Sequence, residues 1–280
     1  MQNVHRAATS SASRRAVLVT FAALTAAAAL AGAVTPAFAD AHDQERQIGQ
    51  QVYNDLRNKN QIIDQSPYYP VLRAVGKRIS DAAAPHWYPL NFIIVKGAQA
   101  NAFSVPGGNV YVNEALLKTA ANEDELAGVL GHETGHLVLG HVMDRIHKAQ
   151  QYNLIGGILG IFVHSQGQAM MLNFLANYSF LNFNRAQEYQ ADHEGAILSA
   201  RAGYNPWGEI WFFNKLEKLY GNAGFEQYVQ DHPSSSDRIS RLRGFIQSDP
   251  GQFGRYHDVM PASKALRTSD GSGTHLVITQ

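Results

Sequence analysis

The stretch Gly131-His132-Glu133-Thr134-Gly135-His136 decides how this chain is read. Residues four apart on an α-helix share a face, so the imidazoles of His132 and His136 can reach one ion together. Glu133 follows about 100° further round, beside such an ion rather than on it. Upstream, Asn122-Glu123-Asp124-Glu125 has the form of a helix start, with Asn122 as N-cap and Glu125 at the third helical position. Leu126, Val129, Leu130 and Leu137 then recur at helical spacing. These signals predict one helix from Glu123 to Gln150.

Two imidazoles fall short of a catalytic zinc site, which takes three protein ligands and an open position. The metzincin pattern would continue with Gly and then His at three-residue steps. Those places hold Leu139 and Val142, and His141 is out of that register, which puts it beside the site or on the surface. A better third donor lies further on. Arg185-Ala186-Gln187-Glu188-Tyr189-Gln190-Ala191-Asp192 reads as a second helix with Glu188 and Asp192 on one face. Glu188 offers a carboxylate oxygen to a metal. Asp192, one turn later, can accept the N–H of a ligand imidazole and fix its tautomer. Taken alone, the same pair is the exposed acidic face of a surface helix.

Several motifs occur in order over residues 43 to 247. They are Asn101 to Asn113, Leu116-Leu117, Glu123 to Ala127, Gly131 to His136, and Arg185 with Glu188, Ala191 and Asp192. This ordered set resembles the HtpX/Oma/Ste-type zinc metallopeptidases, gluzincins related to the CAAX prenyl proteases. The resemblance implies an α+β, mainly helical zincin-type domain with a small sheet and an H-E-x-x-H active-site helix. It also implies one zinc ion per chain, with His132, His136 and Glu188 as ligands, Glu133 as general base and Asp192 in support. One departure is visible: the family often has Ser before the Arg of the second motif, and this chain has Asn184, which also forms hydrogen bonds.

Elsewhere, Asp43 to Arg57 and Pro70 to Ala84 read as packing helices and Leu90 to Val95 as a strand. Pro106-Gly107-Gly108 breaks the chain before a strand at Val110-Tyr111-Val112. An edge strand near the metal of a zinc peptidase pairs with extended substrate. The resemblance gives that role to this stretch, with Gly107, Gly108, Asn109 and Val110 as substrate contacts; a plain hairpin turn is the alternative. Residues 154–183 form apolar runs too short to cross a bilayer, read as a helical hairpin on the zinc domain. Its Gly and Met residues also suit an adaptable hydrophobic surface. Asn205 to Tyr220 reads as a helix with Pro206 in its first turn and its aromatic residues in the core. His232-Pro233 precedes a last helix ending near Gln247. Three roles stay open for His232: catalytic hydrogen-bond donor to the oxyanion, zinc ligand in a resting state, or helix-cap loop histidine.

The 280 residues are 45% hydrophobic and 16% charged, enough for one sizeable core. Twenty-three basic residues balance twenty-three acidic ones, which gives no electrostatic footprint for nucleic acid. The absence of Cys rules out disulfides and a lipidated thiol. Arg6, Arg14 and Arg15, an apolar stretch from Ala16 to Val34, and Ala37-Phe38-Ala39 together read as an export signal over 1–39. Ser13-Arg14-Arg15 also resembles a twin-arginine signal. The remainder divides into a metallopeptidase domain over 40–247 and a weakly ordered tail over 248–280. The expected location is the periplasm, with an uncleaved inner-membrane anchor as the alternative. The expected activity is zinc-dependent endopeptidase cleavage of unfolded or misassembled envelope proteins, with peripheral membrane contact. The competing expectation is a periplasmic chaperone or outer-membrane assembly factor that binds exposed strands with little proteolysis.

Overall fold

The computed structural model describes residues 42–151, 183–224, 232, 236–261 and 266. The stretch 1–39 read as an export signal and, except for Phe183, the stretch 154–183 read as a hairpin lie outside the described residues. The chain opens with helix α1 over 42–58, followed by α2 at Tyr69–Ala83 with Pro70 in its first turn. Tyr69 ties α2 to the sheet: its hydroxyl donates to the Ile63 carbonyl at 2.7 Å and accepts from the Ile94 N–H at 3.1 Å.

Strands β1 (Asn91–Val95), β2 (Ala102–Val105) and β3 (Asn109–Asn113) form one sheet in the order β1-β3-β2. β3 runs parallel to β1 and antiparallel to β2. Both faces are covered, which is why the strands read as continuous apolar runs rather than alternating ones. Phe92, Ile94, Val110 and Val112 meet α2 and the helices beyond, while Ile93, Val95, Phe103 and Tyr111 meet Ile48 and Val52 of α1.

Short α3 (Glu114–Thr119) leads to α4 (Glu123–Val138), which carries the two histidines. Asn122 caps α4 as expected, its side chain accepting from the Glu125 N–H at 2.9 Å. Glu125 accepts from the Ala121 N–H and from Lys215, so the buried carboxylate is paired. The single helix expected from Glu123 to Gln150 is in fact two. Gly140 adopts φ +71° and its N–H donates to the Leu137 carbonyl, a left-handed stop that a glycine takes without strain. The chain restarts as α5 (His141–Gln151).

Helix α6 (Arg185–Arg201) begins with a capping box between Asn184 and Gln187. Asn184 therefore does the work of the Ser that the motif led one to look for. α7 (Gly208–Gly224) starts after Pro206, not with it: residues 206 and 207 form a turn ahead of the helix. The aromatic residues of this stretch are core, as expected, with Trp207, Trp211, Phe212 and Phe213 all buried. α8 (Ser236–Ser248) is followed by α9 (Pro250–Phe253). The chain past 247 continues to pack: Phe253 and Leu266 are buried, and Asp258 accepts from the Trp211 indole at 2.8 Å.

α4 is the central helix, contacting α2, α6, α7 and the sheet. Its closest neighbour is α6, and the contact is backbone on backbone. A Cβ on Gly195 would lie 2.7 Å from the His132 nitrogen, and one on Gly131 would lie 2.7 Å from the Gly195 carbonyl oxygen. Neither atom can move without shifting a helix. Gly195→Ala is therefore expected to destabilise the fold by about 1–3 kcal/mol in urea unfolding. Gly244→Ala in α8, where a Cβ meets nothing within 4 Å, should instead gain about 0.5–1 kcal/mol. Equal effects at the two positions would contradict this packing.

Candidate metal centre

The tight α4–α6 contact sets the geometry. Projecting from α4, the His132 and His136 rings bring their Nε2 atoms within 3.1 Å of each other. Glu188, in the first turn of α6, brings its carboxylate oxygens to 3.5 Å from His132 Nε2 and 3.6 Å from His136 Nε2. His232 completes the cluster, with Nδ1 at 3.3 Å from His132 Nε2 and 3.1 Å from Glu188 Oε1. The donor atoms of all four residues lie within 4.8 Å of one another. Glu133 faces the same space, its Oε1 at 3.2 Å from His232 Nε2. All five side chains are at most 1% exposed.

Each imidazole is oriented from behind. His132 Nδ1 faces Asp192 Oδ1 at 3.0 Å and Glu209 Oε1 at 3.1 Å. His136 Nδ1 lies 3.0 Å from His141 Nδ1, and His141 Nε2 lies 3.1 Å from Gln190 Oε1. Because an amide oxygen only accepts, His141 must donate from Nε2 and accept at Nδ1. His136 then donates from Nδ1, which leaves the Nε2 lone pair of His136 facing the cluster. The helix break at Gly140 makes this relay: in a continuous helix, residues five apart would lie about 140° from each other. Phe183 stacks on the His136 ring with centroids 3.8 Å apart.

Buried Arg238 from α8 ties the acidic residues together. Its Nη1 lies 2.7 Å from Glu188 Oε2, and its Nε and Nη2 both donate to Asp192. Burial would raise the Asp192 carboxyl, but Arg238 and His132 hold it well below the usual carboxylate range. Glu209 goes the other way, pushed up to about 8 by burial and by the charge of Asp192. Burial also opposes ionisation of Glu133, yet His232 keeps it below its ordinary value, with help from Ser104 of β2. Burial pulls His232 down, and the charges of Glu188 and Glu133 overcome this to push it up to about 9. His136 is driven well below its ordinary value by burial and by the neighbouring His132, so it stays neutral and able to ligate.

Glu133, Glu188 and Asp192 converge with Arg238, His132 and His232, and all are buried. Positive charge beside them offsets the cost of burying these carboxylates. Two imidazoles and a carboxylate, with donor atoms this close, suit a divalent transition metal.

The sequence places His132, His136, Glu188, Glu133 and Asp192 together and leaves His232 open; in the structure all six converge. The stretch expected to contact substrate does not join them. Asn109 and Val110 lie in the central strand with both edges taken, opposite Asn91 and Phe92 on one side and Val105 and Ser104 on the other. The Asn109 side chain donates to the Gly49 carbonyl, and Gly107 and Gly108 form the β2–β3 turn. Their main chain cannot pair with a peptide. Within the expected stretch, the edge is β2. The sequence reading passed over Glu209 and gave Arg238 no role. A lone carboxylate in the apolar run Trp207 to Phe213 was the available signal for Glu209, since a charge there needs a partner.

The chain matches the family described as Peptidase family M48 over residues 70–246. It is 26% identical to the mitochondrial metalloendopeptidase OMA1 of Schizosaccharomyces pombe, covering 80% of this chain and 68% of that protein. It is 27% identical to the beta-barrel assembly-enhancing protease of Escherichia coli K12, covering 78% of this chain and 50% of that one. A third relative, the metalloprotease LoiP of the same strain, is 26% identical over 74% of this chain and 82% of its own length. The chain thus spans about half the length of the assembly-enhancing protease and most of the other two. With the matched region containing the whole histidine–carboxylate cluster, the chain belongs to peptidase family M48.

Proposed function

We propose that this chain is a zinc-dependent endopeptidase acting on unfolded or misassembled proteins of the bacterial envelope. The observation that carries this reading is the convergence of His132, His136 and Glu188 on one point with Glu133 beside it. His132, His136 and Glu188 would hold one zinc ion, which when bound supplies a Lewis acid that polarises the scissile carbonyl and acidifies water. Glu133, held ionised, takes the proton of the attacking water and delivers it to the leaving amine. Asp192 and His141 keep the two imidazoles in the ligating tautomer. Arg238 fixes Glu188 and Asp192 in register with each other. The outer edge of β2, which has no strand partner among the described residues, is the edge on which we place an extended substrate. Ser104 brings that strand against Glu133.

The burial of His232 between Glu133 and Glu188 supports the resting-state role over the other two. With a metal held by the other three, its Nδ1, 3.3 Å from His132 Nε2 and 3.1 Å from Glu188 Oε1, would compete for the position where water has to sit for catalysis. The enzyme then rests closed, and substrate engagement must withdraw His232. The envelope setting is supported by the export-type N-terminal sequence and by the name of the assembly-enhancing relative. A periplasmic location, a cleaved signal and peripheral membrane contact are parts of the same proposal. Among the described residues, no helix is long and apolar enough to cross a membrane.

Glu133→Gln should lose about 10²–10⁴-fold of casein-cleaving activity while keeping its zinc, measured by elemental analysis of the same preparation. Full complementation of a null strain by that variant would contradict the peptidase reading and favour a strand-binding chaperone. His232→Ala should raise cleavage by about tenfold, the gain from freeing a mostly closed population. A drop of about 10²-fold or more would instead make His232 an oxyanion donor.

A further inference from the structure

Glu209 is the one buried carboxyl in this region that the proposed chemistry does not use. It stands in the first turn of α7, flanked by buried Trp207, Ile210, Trp211, Phe212 and Phe213, and is itself 1% exposed. Nothing in that apolar setting calls for a charge. The backbone around it is fixed against the histidine helix. A Cβ on Gly128 would lie 2.6 Å from the Glu209 nitrogen, and one on Gly208 would lie 2.1 Å from the Asp124 carbonyl oxygen. Asn205, just upstream, donates its N–H to the Asp124 side chain at 2.8 Å. The Glu209 side chain is thereby aimed at His132, one helical turn after Gly128.

Two carboxylates face the single N–H that a ligating His132 can offer from Nδ1, Asp192 Oδ1 at 3.0 Å and Glu209 Oε1 at 3.1 Å. They are not equivalent. Both oxygens of Asp192 already accept from Arg238. Glu209 has no other hydrogen-bond partner among the described residues, so His132 is the group it serves. A shared carboxylate is a weaker acceptor than an unshared one, and an acceptor at Nδ1 makes Nε2 a better donor to a metal.

We propose that Glu209 is a positioning residue of the metal centre: it joins Asp192 at His132 Nδ1, fixes the ring with Nε2 toward the metal and strengthens that ligand. The inference rests on His132 being a zinc ligand. Burying a polar carboxyl group in this apolar setting costs the fold stability before metal enters. Replacing it should therefore move metal affinity and stability in opposite directions, which a residue that merely fills space would not do.

The test uses the full chain as wild type, Glu209→Gln and Glu209→Met. Zinc affinity is read by competition with a chromophoric chelator, and thermal unfolding is followed before and after zinc is restored to stripped protein. Both variants should bind zinc more weakly, with Met losing about 10–100-fold and Gln, which keeps one acceptor oxygen, losing less. Both stripped variants should melt at or above the wild-type temperature. Wild-type affinity in the Met variant overturns the proposal. So does a loss of affinity accompanied by a lower melting temperature of the stripped protein, which marks a packing role. If wild-type protein takes up no zinc at all, the zinc-peptidase reading fails with it, and the two failures are distinguishable.

Discussion

Everything at the centre depends on how closely two helices approach. α4 supplies His132, Glu133 and His136, and α6 supplies Glu188 and Asp192. They meet where Gly131 and Gly195 leave out a side chain, so that backbone touches backbone one residue from His132. A methyl group at either place would force the helices apart. The Glu188 oxygens, now within about 3.6 Å of the imidazole nitrogens, would be left short of a common ion. α7 presses on the same helix one turn earlier, at Gly128. The donor set is thus held by main chain on helices, and such a site needs little reorganisation to bind its ion.

Electrostatics then decides what the cavity holds. Glu133, Glu188 and Asp192 are buried around Arg238, with His132 and His232 supplying further positive charge. The same field acts on His232, which sits between Glu133 and Glu188 and is pushed up to about 9. One arrangement of carboxylates and imidazoles therefore keeps Glu133 below its ordinary value and holds His232 against it. Orientation comes from a second layer: Asp192 and Glu209 behind His132, and His141 with Gln190 behind His136.

Much of this was legible in the sequence because it follows local periodicity. The i, i+4 spacing of His132 and His136 and that of Glu188 and Asp192 place each pair on one helical face, whatever the tertiary context. Asn122 and Asn184 mark their helix starts for the same reason, since an N-cap is satisfied within four residues. What could not be read is what the fold joins across distance. Whether β3 is an edge or a centre depends on β1 joining it in parallel, which no feature of Asn109 or Val110 reveals. Arg238 reaches Asp192 only because α8 crosses α6. The break at Gly140 was visible as a glycine, but a glycine inside an apolar helical pattern is often tolerated. Its effect, turning His141 back onto His136, appears only in three dimensions.

The most direct test of the metal centre is anomalous X-ray diffraction at the zinc edge from crystals of the purified chain. The account predicts a single strong peak bonded to His132 Nε2, His136 Nε2 and Glu188. A peak at any other position, or none in crystals grown with zinc present, would contradict it.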